Sequence, residues 1–211
     1  MLGKLDTPEQ LMVTKSVKTI VDQVDAMKRL VNDFRDYARL PAAKLEPVDL
    51  NELIEDVLHL YESAPVPVVV DLDSSIPKVL GDPQQLRQIL HNLVQNALDA
   101  TCQVSADALL KTLPKTSSLA AGDAQVLVRT QWMPSSGRVR LAVLDQGGGF
   151  PAHILKRAFE PYVTTKLSGT GLGLAVVKKI ADDHGARIEI SNRISDNLGV
   201  GAQVSLSLAS A

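Results

Sequence analysis

Apolar residues in the first part of the chain repeat at alternating steps of three and four. This repeat predicts a helix over residues 8–40, ended by Pro41, with a heptad seam that needs an apolar partner. A helix packed along its own domain is the alternative. The seam consists of Val17, Ile20, Val24, Met27, Val31, Phe34 and Ala38.

Shorter patterns of strand and helix follow from residue 45 onward. In LEPVDLNELIEDVL we expect a short strand and then a helix with Asp49 and Glu52 as its capping box. The valine-rich residues 66–72 predict another strand. Two hairpins complete the pattern, residues 124–133 with 138–144 and ARIEISNR with AQVSLSLAS.

A second amphipathic helix begins at Asp82, an N-cap followed by Pro83. Beyond Thr101 we expect a loop with one helical turn near residues 106–110. Asn92, Asn96 and Asp99 fall at i, i+4 and i+7 and therefore share one stripe of the helix. Its predicted buried face consists of Leu86, Ile89, Leu90, Leu93, Val94, Ala97 and Leu98.

Composition excludes several classes of protein. The net charge of −2 gives no basic field for nucleic acid. The single cysteine, Cys102, allows no intrachain disulfide and fits the reducing cytosol. No apolar run of about 18 residues is present, so we expect no direct membrane contact and a cytoplasmic location.

A carboxylate stands at the end of the predicted strand 138–144. Asp145 opens the sequence DQGGGF, in which three glycines allow a flat ligand to approach the backbone. An ionised carboxylate only accepts hydrogen bonds, so it selects a donor such as an exocyclic amine. A plain turn after the strand is the alternative.

A glycine-rich segment, GTGLGL at residues 169–174, leads into the helical pattern LAVVKKIADDHG. Backbone amides and the positive end of the helix dipole at such a helix start suit phosphate. We expect this helix to end at His184 and Gly185, with His184 as a favourable cation at its C-terminus. The segment lacks the preceding strand of a dinucleotide fingerprint and the Gly-Lys-Ser/Thr of a Walker loop.

The amides of Asn92 and Asn96 and the carboxylate of Asp99 could hold a hard cation through oxygen, with phosphates completing its coordination. A solvated polar stripe without a ligand is the alternative. A carboxylate that selects an amine, a glycine-rich segment that suits phosphate and a stripe of oxygen ligands for a cation together suggest that the chain binds a purine nucleotide.

The order of four motifs, NxxxNA, DxGxG, FEPYVTTK and GxGxGL, resembles the ATP-binding catalytic domain of sensor histidine kinases. These kinases belong to the gyrase, Hsp90, kinase and MutL superfamily. The sequence VNDFRDYARLPAAKLEPVDLNELI looks most like nitrogen-regulation sensors of the NtrY type. The resemblance implies an α/β fold, a two-layer sandwich with helices on one face of a mixed sheet, which binds ATP and Mg²⁺ under a mobile lid at residues 150–168.

The resemblance also implies roles for individual residues. Asn96 would bind Mg²⁺, with Asn92 assisting with cation or phosphate. Asp145 would read the adenine amine beside Gly147 and Gly149. Phe159 to Lys166 would form the distal lid, with Lys166 reaching a phosphate. The cofactor-binding set is completed by Asp99, Thr165, Gly169, Thr170, Gly171, Leu172 and Gly173.

By the same resemblance, residues 1–44 would be the second helix of a dimerisation bundle and residues 45–211 the catalytic domain. The family's phosphoacceptor is a His followed by Glu on the first bundle helix, and here no His precedes His59. We therefore expect a fragment of a membrane-anchored sensor that binds ATP, does not phosphorylate itself and has no catalytic histidine of its own. Its partners would be a second copy, through the seam, and the receiver domain of a response regulator.

Two alternative functions share this nucleotide site. ATP hydrolysis, as in the gyrase, Hsp90 and MutL branches, uses a Glu at the position of Asn92 to activate water. An amide cannot take that proton at neutral pH. An anti-sigma-factor-like serine kinase is the other alternative, against which the heptad helix argues.

Overall fold

The computed structural model describes residues 8–38, 40–110, 124–166, 169–195 and 199–211. Its helices are α1 (Pro8–Ala38), α2 (Leu50–Leu58), α3 (Pro83–Leu110), α4 (Ala152–Leu155) and α5 (Gly173–Asp183). Its strands are β1 (Glu46–Val48), β2 (Val68–Asp71), β3 (Val79–Gly81), β4 (Val126–Met133), β5 (Arg138–Leu144), β6 (Arg187–Ser195) and β7 (Gly199–Ala209).

Five strands form a mixed sheet in the order β2-β4-β5-β7-β6. β2 runs parallel to β4, and the remaining neighbours are antiparallel. The pairs β4–β5 and β6–β7 are the two predicted hairpins, which are thereby confirmed. β1 and β3 form a separate antiparallel ribbon.

The two faces of the sheet differ in polarity because side chains alternate along each strand. On one face, Val128, Val139 and Leu141 are buried against the helices. The other face carries ion pairs such as Arg140 with Glu189, at 2.6 Å. This is a mixed α/β fold with one helical layer, in agreement with the predicted fold class.

Helix α3 is the centre of the helical layer. Asp82 caps it, since its Oδ1 accepts from the amides of Gln84 at 3.0 Å and Gln85 at 3.1 Å. All seven residues of the predicted apolar face are at most 4 % exposed. The expected loop is wrong for residues 102–105, because α3 continues without a break to Leu110 and includes the helical turn expected near residues 106–110. The rest of that expected loop, residues 111–123, lies outside the described residues. The Thr101 hydroxyl donates to the Ala97 carbonyl at 2.9 Å, which lets a polar residue remain within the helix.

Helix α5 ends in a glycine cap, as predicted. Gly185 has φ +56°, its amide donates to Asp182, and the Ala186 amide donates to Ala181. The expected cationic role of His184 is wrong. Its buried ring accepts from the Asp82 amide at Nε2 (2.9 Å) and lies 2.8 Å from the Ile180 carbonyl at Nδ1. An acceptor Nε2 requires a neutral imidazole.

Helix α1 leaves its seam exposed, so the alternative of a helix packed along its own domain is wrong. Ile20 and Val31 are each 62 % exposed. Val21 and Leu30, beside the seam, are also exposed and widen the apolar stripe. Contact with the domain lies near the end of α1, where the Lys179 ammonium donates to the Tyr37 carbonyl at 3.0 Å.

Within the described ranges, no helix is long and apolar enough to cross a membrane. The predicted division of the chain at residue 44 stays a prediction.

Candidate functional site

The carboxylate of Asp145 is buried at the end of β5. Its Oδ1 accepts from the amides of Gly147 and Ala202, both at 2.9 Å. Burial raises the pKa of Asp145, and the two amides and the positive charges of Arg193 and Lys166 act in the opposite direction. The two amide hydrogen bonds fix the orientation of the carboxylate without a ligand.

The loop after Asp145 lies directly on α3. A Cβ on Gly147 would come within 2.7 Å of the Ala100 Cβ, so this position requires a glycine. The Gln146 amide donates to the Thr101 hydroxyl at 3.3 Å. At the far end of the loop, Gly149 has φ +72°. These contacts place the predicted amine reader beside residues 100–101 of α3.

The glycine-rich segment 169–173 meets α3 nearer its start. Gly173 is the first residue of α5, and its Cβ position would lie 3.5 Å from Asn96 Nδ2 and 3.7 Å from Asn92 Oδ1. Gly171 has φ +68°, and its carbonyl accepts from the Tyr162 amide at 3.0 Å. A side chain at Gly171 would meet the Tyr162 backbone at 2.6 Å. The backbone of the segment therefore packs closely between α3 and residues 160–163.

The segment between the two loops reaches α3 through Lys166. Its ammonium donates to Asn96 Oδ1 at 3.1 Å and to Asp99 Oδ2 at 2.8 Å. Gln95 donates to the other oxygen of Asp99 at 2.8 Å. Among the other predicted residues, Phe159 is half-buried, Thr165 is exposed, and the Thr170 hydroxyl accepts from the Leu172 amide at 3.4 Å. Residues 167–168 of the expected lid lie outside the described residues, and its mobility stays a prediction.

The oxygens of Asn96 and Asp99 suit a positive charge, since they already accept from an ammonium group. The described residues contain no group of three or more His, Cys, Asp or Glu side chains that could hold a metal ion. A divalent cation at Asn96 would therefore need further oxygen ligands, which nucleotide phosphates can supply.

The structure brings two residues to the site that the sequence patterns did not indicate. Arg193 donates from Nη1 to the Asp145 carbonyl at 2.9 Å, and Asn192 bonds the backbone of Phe150. Both lie within β6, where the local sequence indicates only a strand. The nearby Gly201 was the one available signal, because a glycine inside a strand often marks a close backbone approach.

A family model described as histidine kinase-, DNA gyrase B- and HSP90-like ATPase matches residues 81–211. The nitrogen regulation protein NtrY of Azorhizobium caulinodans is 30% identical over 209 residues, 98% of this chain and 25% of the relative. The sensory histidine kinase/phosphatase NtrB of Azospirillum brasilense is 30% identical over 182 residues, 83% of this chain and 43% of the relative. The chain thus spans less than half of either relative.

Solved structures of histidine kinases share the fold. Full-length ShkA in complex with AMPPNP has a TM-score of 0.67 at 28% identity, covering 99% of this chain and 41% of that one. The catalytic domain of ThkA has a TM-score of 0.61 at 27% identity, covering 79% and 95%. ThkA in complex with the response regulator TrrA has a TM-score of 0.66 at 25% identity, covering 97% and 53%.

Proposed function

The chain belongs to the histidine kinase-, DNA gyrase B- and HSP90-like ATPase family, and on that premise we propose that it binds ATP with Mg²⁺ and transfers the γ-phosphoryl group to a histidine on another polypeptide segment. Its catalytic domain is similar to those of the sensor kinases NtrY, NtrB and ThkA.

One observation carries the proposal: two loops with complementary chemistry lie on the same helix, α3. The Asp145 loop packs at Ala100, and the glycine segment packs at Asn92 and Asn96. At a rise of 1.5 Å per residue, the eight steps along the helix from Asn92 to Ala100 span about 12 Å. A buried carboxylate at one end, and at the other a glycine-rich backbone that leads into the N-terminus of α5, suit the base and the phosphates of one nucleotide.

Each part of the site then has a distinct task. Asp145 accepts a hydrogen bond from the exocyclic amine of adenine. The backbone from Gly169 to Gly173 and the N-terminus of α5 bind phosphate. Lys166 leaves Asn96 and Asp99 for a phosphate oxygen, so its charge moves from protein oxygens to ligand oxygens.

Asn96, assisted by Asn92, would hold Mg²⁺ through side-chain oxygen. The bound ion would neutralise charge on the phosphates. The protein's own contribution is orientation, because in-line placement of the γ-phosphorus supplies several kcal/mol of the barrier.

Hydrolysis is disfavoured by the side chain at residue 92. The Asn92 oxygen faces Gly173, where a base would be needed to activate water. An amide has no proton affinity for that task at neutral pH. The bound nucleotide therefore persists until an imidazole attacks.

The acceptor is not one of this chain's own four histidines. His184 is buried with both ring nitrogens in contact with backbone groups. Nδ1 of His91 lies 2.7 Å from the Tyr61 hydroxyl, and Nδ1 of His59 lies 2.8 Å from Glu62. His153 lies on the one-turn helix α4. None is on a bundle helix that could present an imidazole in line with the γ-phosphorus.

Two protein partners follow from the same proposal. The exposed stripe of α1 suits a second copy of the chain in a helical bundle, because residues flanking the seam widen its apolar face. A receiver domain would accept the phosphoryl group from the histidine. The complex of ThkA with a response regulator supports this second partner.

Calorimetric titration with ATP, with and without Mg²⁺, tests the proposal. We expect Asn96→Ala to weaken the magnesium-dependent part of binding by about tenfold, roughly 1.4 kcal/mol. Gln103→Ala, exposed on the same helix, is the matched control. Equal losses in both variants, or unfolding of Asn96→Ala, would assign Asn96 a structural role instead.

A further inference from the structure

Two neighbouring side chains of β6 hold the two ends of the loop that follows β5. Arg193 Nη1 donates to the Asp145 carbonyl at 2.9 Å. Asn192 accepts from the Phe150 amide and donates to the Phe150 carbonyl, both at 2.7 Å. One strand therefore fixes the first and the last residue of the segment 145–150.

Asn192 acts on Phe150 as a neighbouring strand residue would. Its side-chain amide offers one acceptor and one donor, and these pair with both backbone groups of one residue. Gly149 makes the approach possible, since a Cβ there would lie 3.0 Å from Asn192 Oδ1. Phe150 is therefore held against β6 directly before residues 151–166 begin.

Gly201 opens the path for Arg193. The two residues are partners in the β6–β7 register. A Cβ on Gly201 would collide with the Asp145 carbonyl oxygen, the atom to which Arg193 donates. Next along β7, Ala202 bonds both the amide and the carboxylate of Asp145. The β6–β7 hairpin thus contacts Asp145 at its amide, its carbonyl and its side chain.

The Arg193 guanidinium also acts electrostatically on the Asp145 carboxylate. Burial raises the pKa of Asp145, while the amides of Ala202 and Gly147 and the charges of Arg193 and Lys166 lower it. Lys166 belongs to the proposed lid and has phosphate as its proposed partner. Arg193 belongs to the sheet, so its charge stays beside Asp145 when Lys166 moves to the phosphate.

We propose that Arg193 and Asn192 are positioning residues of the nucleotide site. Arg193 orients the Asp145 carboxylate by binding the backbone carbonyl of the same residue, and Asn192 fixes the backbone of Phe150, where the expected lid begins. The inference rests on the proposed function, because it assigns ATP as the ligand of this loop.

The pH dependence of ATP binding tests Arg193. Asp145 binds the amine as an anion, so affinity falls as pH falls through the pKa of its carboxyl group. Arg193→Met removes a nearby positive charge, and we expect about tenfold weaker binding at neutral pH. As the pH is lowered, the variant should also lose ATP at a higher pH than the wild type does, because the pKa of Asp145 rises. Arg193→Lys should restore most of the affinity at neutral pH and most of the wild-type pH dependence. ATP titrates identically in every sample, so differences between the curves belong to the protein.

Arg187→Gln, which removes a charge at an exposed position of the same strand, is the matched control and should match the wild type. An Arg193→Met curve that equals this control would overturn the role of Arg193. Weaker binding with an unshifted pH midpoint and no rescue by lysine would reduce Arg193 to a packing residue and also overturn the proposal.

Amide exchange of the nucleotide-free chain tests Asn192 independently. Asn192→Ala should raise exchange at Phe150 about tenfold, leave strand β5 unchanged and weaken ATP binding. Its exposed neighbour Ser191→Ala should alter neither. Unchanged exchange at Phe150 would overturn the role of Asn192. A wild-type chain that binds no ATP would contradict the proposed function itself, whereas wild-type binding with unaffected variants would contradict only the positioning roles.

Discussion

The Lys166 ammonium lies 2.8 Å from the Asp99 carboxylate and also contacts Asn96, at the place on α3 proposed for Mg²⁺. The lysine thus supplies, without a ligand, the positive charge that Mg²⁺ would supply beside the Asp99 carboxylate and the Asn96 oxygen when the nucleotide is bound. The Lys166 and Asp99 side chains are 24% and 40% exposed, so their ion pair is a modest contribution to stability. Such a contact can exchange readily for a contact with phosphate.

The first prediction concerns Lys166. Replacement by methionine should weaken ATP binding about tenfold, because a charge-assisted contact with phosphate is lost, and should leave adenosine binding unchanged. Calorimetry with both ligands measures the difference. Lys156→Met, an exposed lysine in the same segment, is the control. Equal losses for ATP and adenosine would remove Lys166 from the phosphate contact.

The second prediction concerns the selectivity for adenine. Asp145→Ala should cost about 1.5–3 kcal/mol of ATP binding, the scale of a hydrogen bond to a charged group. GTP, which lacks the amine at that position, should bind poorly to the wild type. Competition titrations against ATP measure both effects. Equal affinities of the wild type for ATP and GTP would contradict the assignment of Asp145.

The third prediction concerns stability and pH. Burial raises the pKa of Asp145 in the folded chain, so the native state holds this proton more tightly than the unfolded state. The stability contributed by this group is therefore present below its unfolded pKa, about 4, and falls as pH rises through the higher native pKa. Asp145→Asn should therefore melt at a higher temperature than the wild type at pH 7, although this variant should bind ATP more weakly.

Thermal melts of the nucleotide-free protein between pH 4 and pH 8 measure this effect. The gain of Asp145→Asn should shrink toward the acid end, where the wild-type carboxyl is protonated in both states. Asp22→Asn, exposed on α1, should show no such trend. A lower melting temperature of Asp145→Asn at pH 7 would mean that the ionised carboxylate stabilises the fold.

Local patterns predicted the parts of the structure that depend on periodicity and caps. The buried face of α3 follows from helical spacing alone, and the Gly185 cap follows from a glycine after the last apolar turn. The stripe of Asn92 and Asn96 and the two glycine loops were likewise visible. The structure then adds that both loops lie on α3.

Contacts between distant segments were not predictable in the same way. His184 is neutral because it accepts from the Asp82 amide, 102 residues away in the chain. Arg193 reaches Asp145 only because the sheet order sets β6 beside β7. The continuity of α3 through residues 102–105 does not follow from the local sequence, because its small polar residues resemble a loop, while the hydroxyl of Thr101 bonds within the helix.

The fourth prediction concerns α1. Full burial of an apolar side chain is worth about 1.5–3 kcal/mol, so the exposed seam should drive association of two copies. We expect a dimer at micromolar concentration in sedimentation velocity experiments. Val24→Asp, in the seam, should give a monomer with an intact catalytic domain. Lys18→Asp, exposed on the opposite face of α1, should remain a dimer, and a monomeric wild type would contradict this role of the seam.

Transfer of the γ-phosphoryl group tests the central claim most directly. The chain is incubated with γ-labelled ATP and Mg²⁺, alone and with a polypeptide that carries a bundle helix with a His-Glu pair. The account predicts no label on the chain alone, slow phosphate release, and acid-labile label on the added histidine. Label on His59, His91, His153 or His184, or rapid release of phosphate with no labelled acceptor, would contradict it.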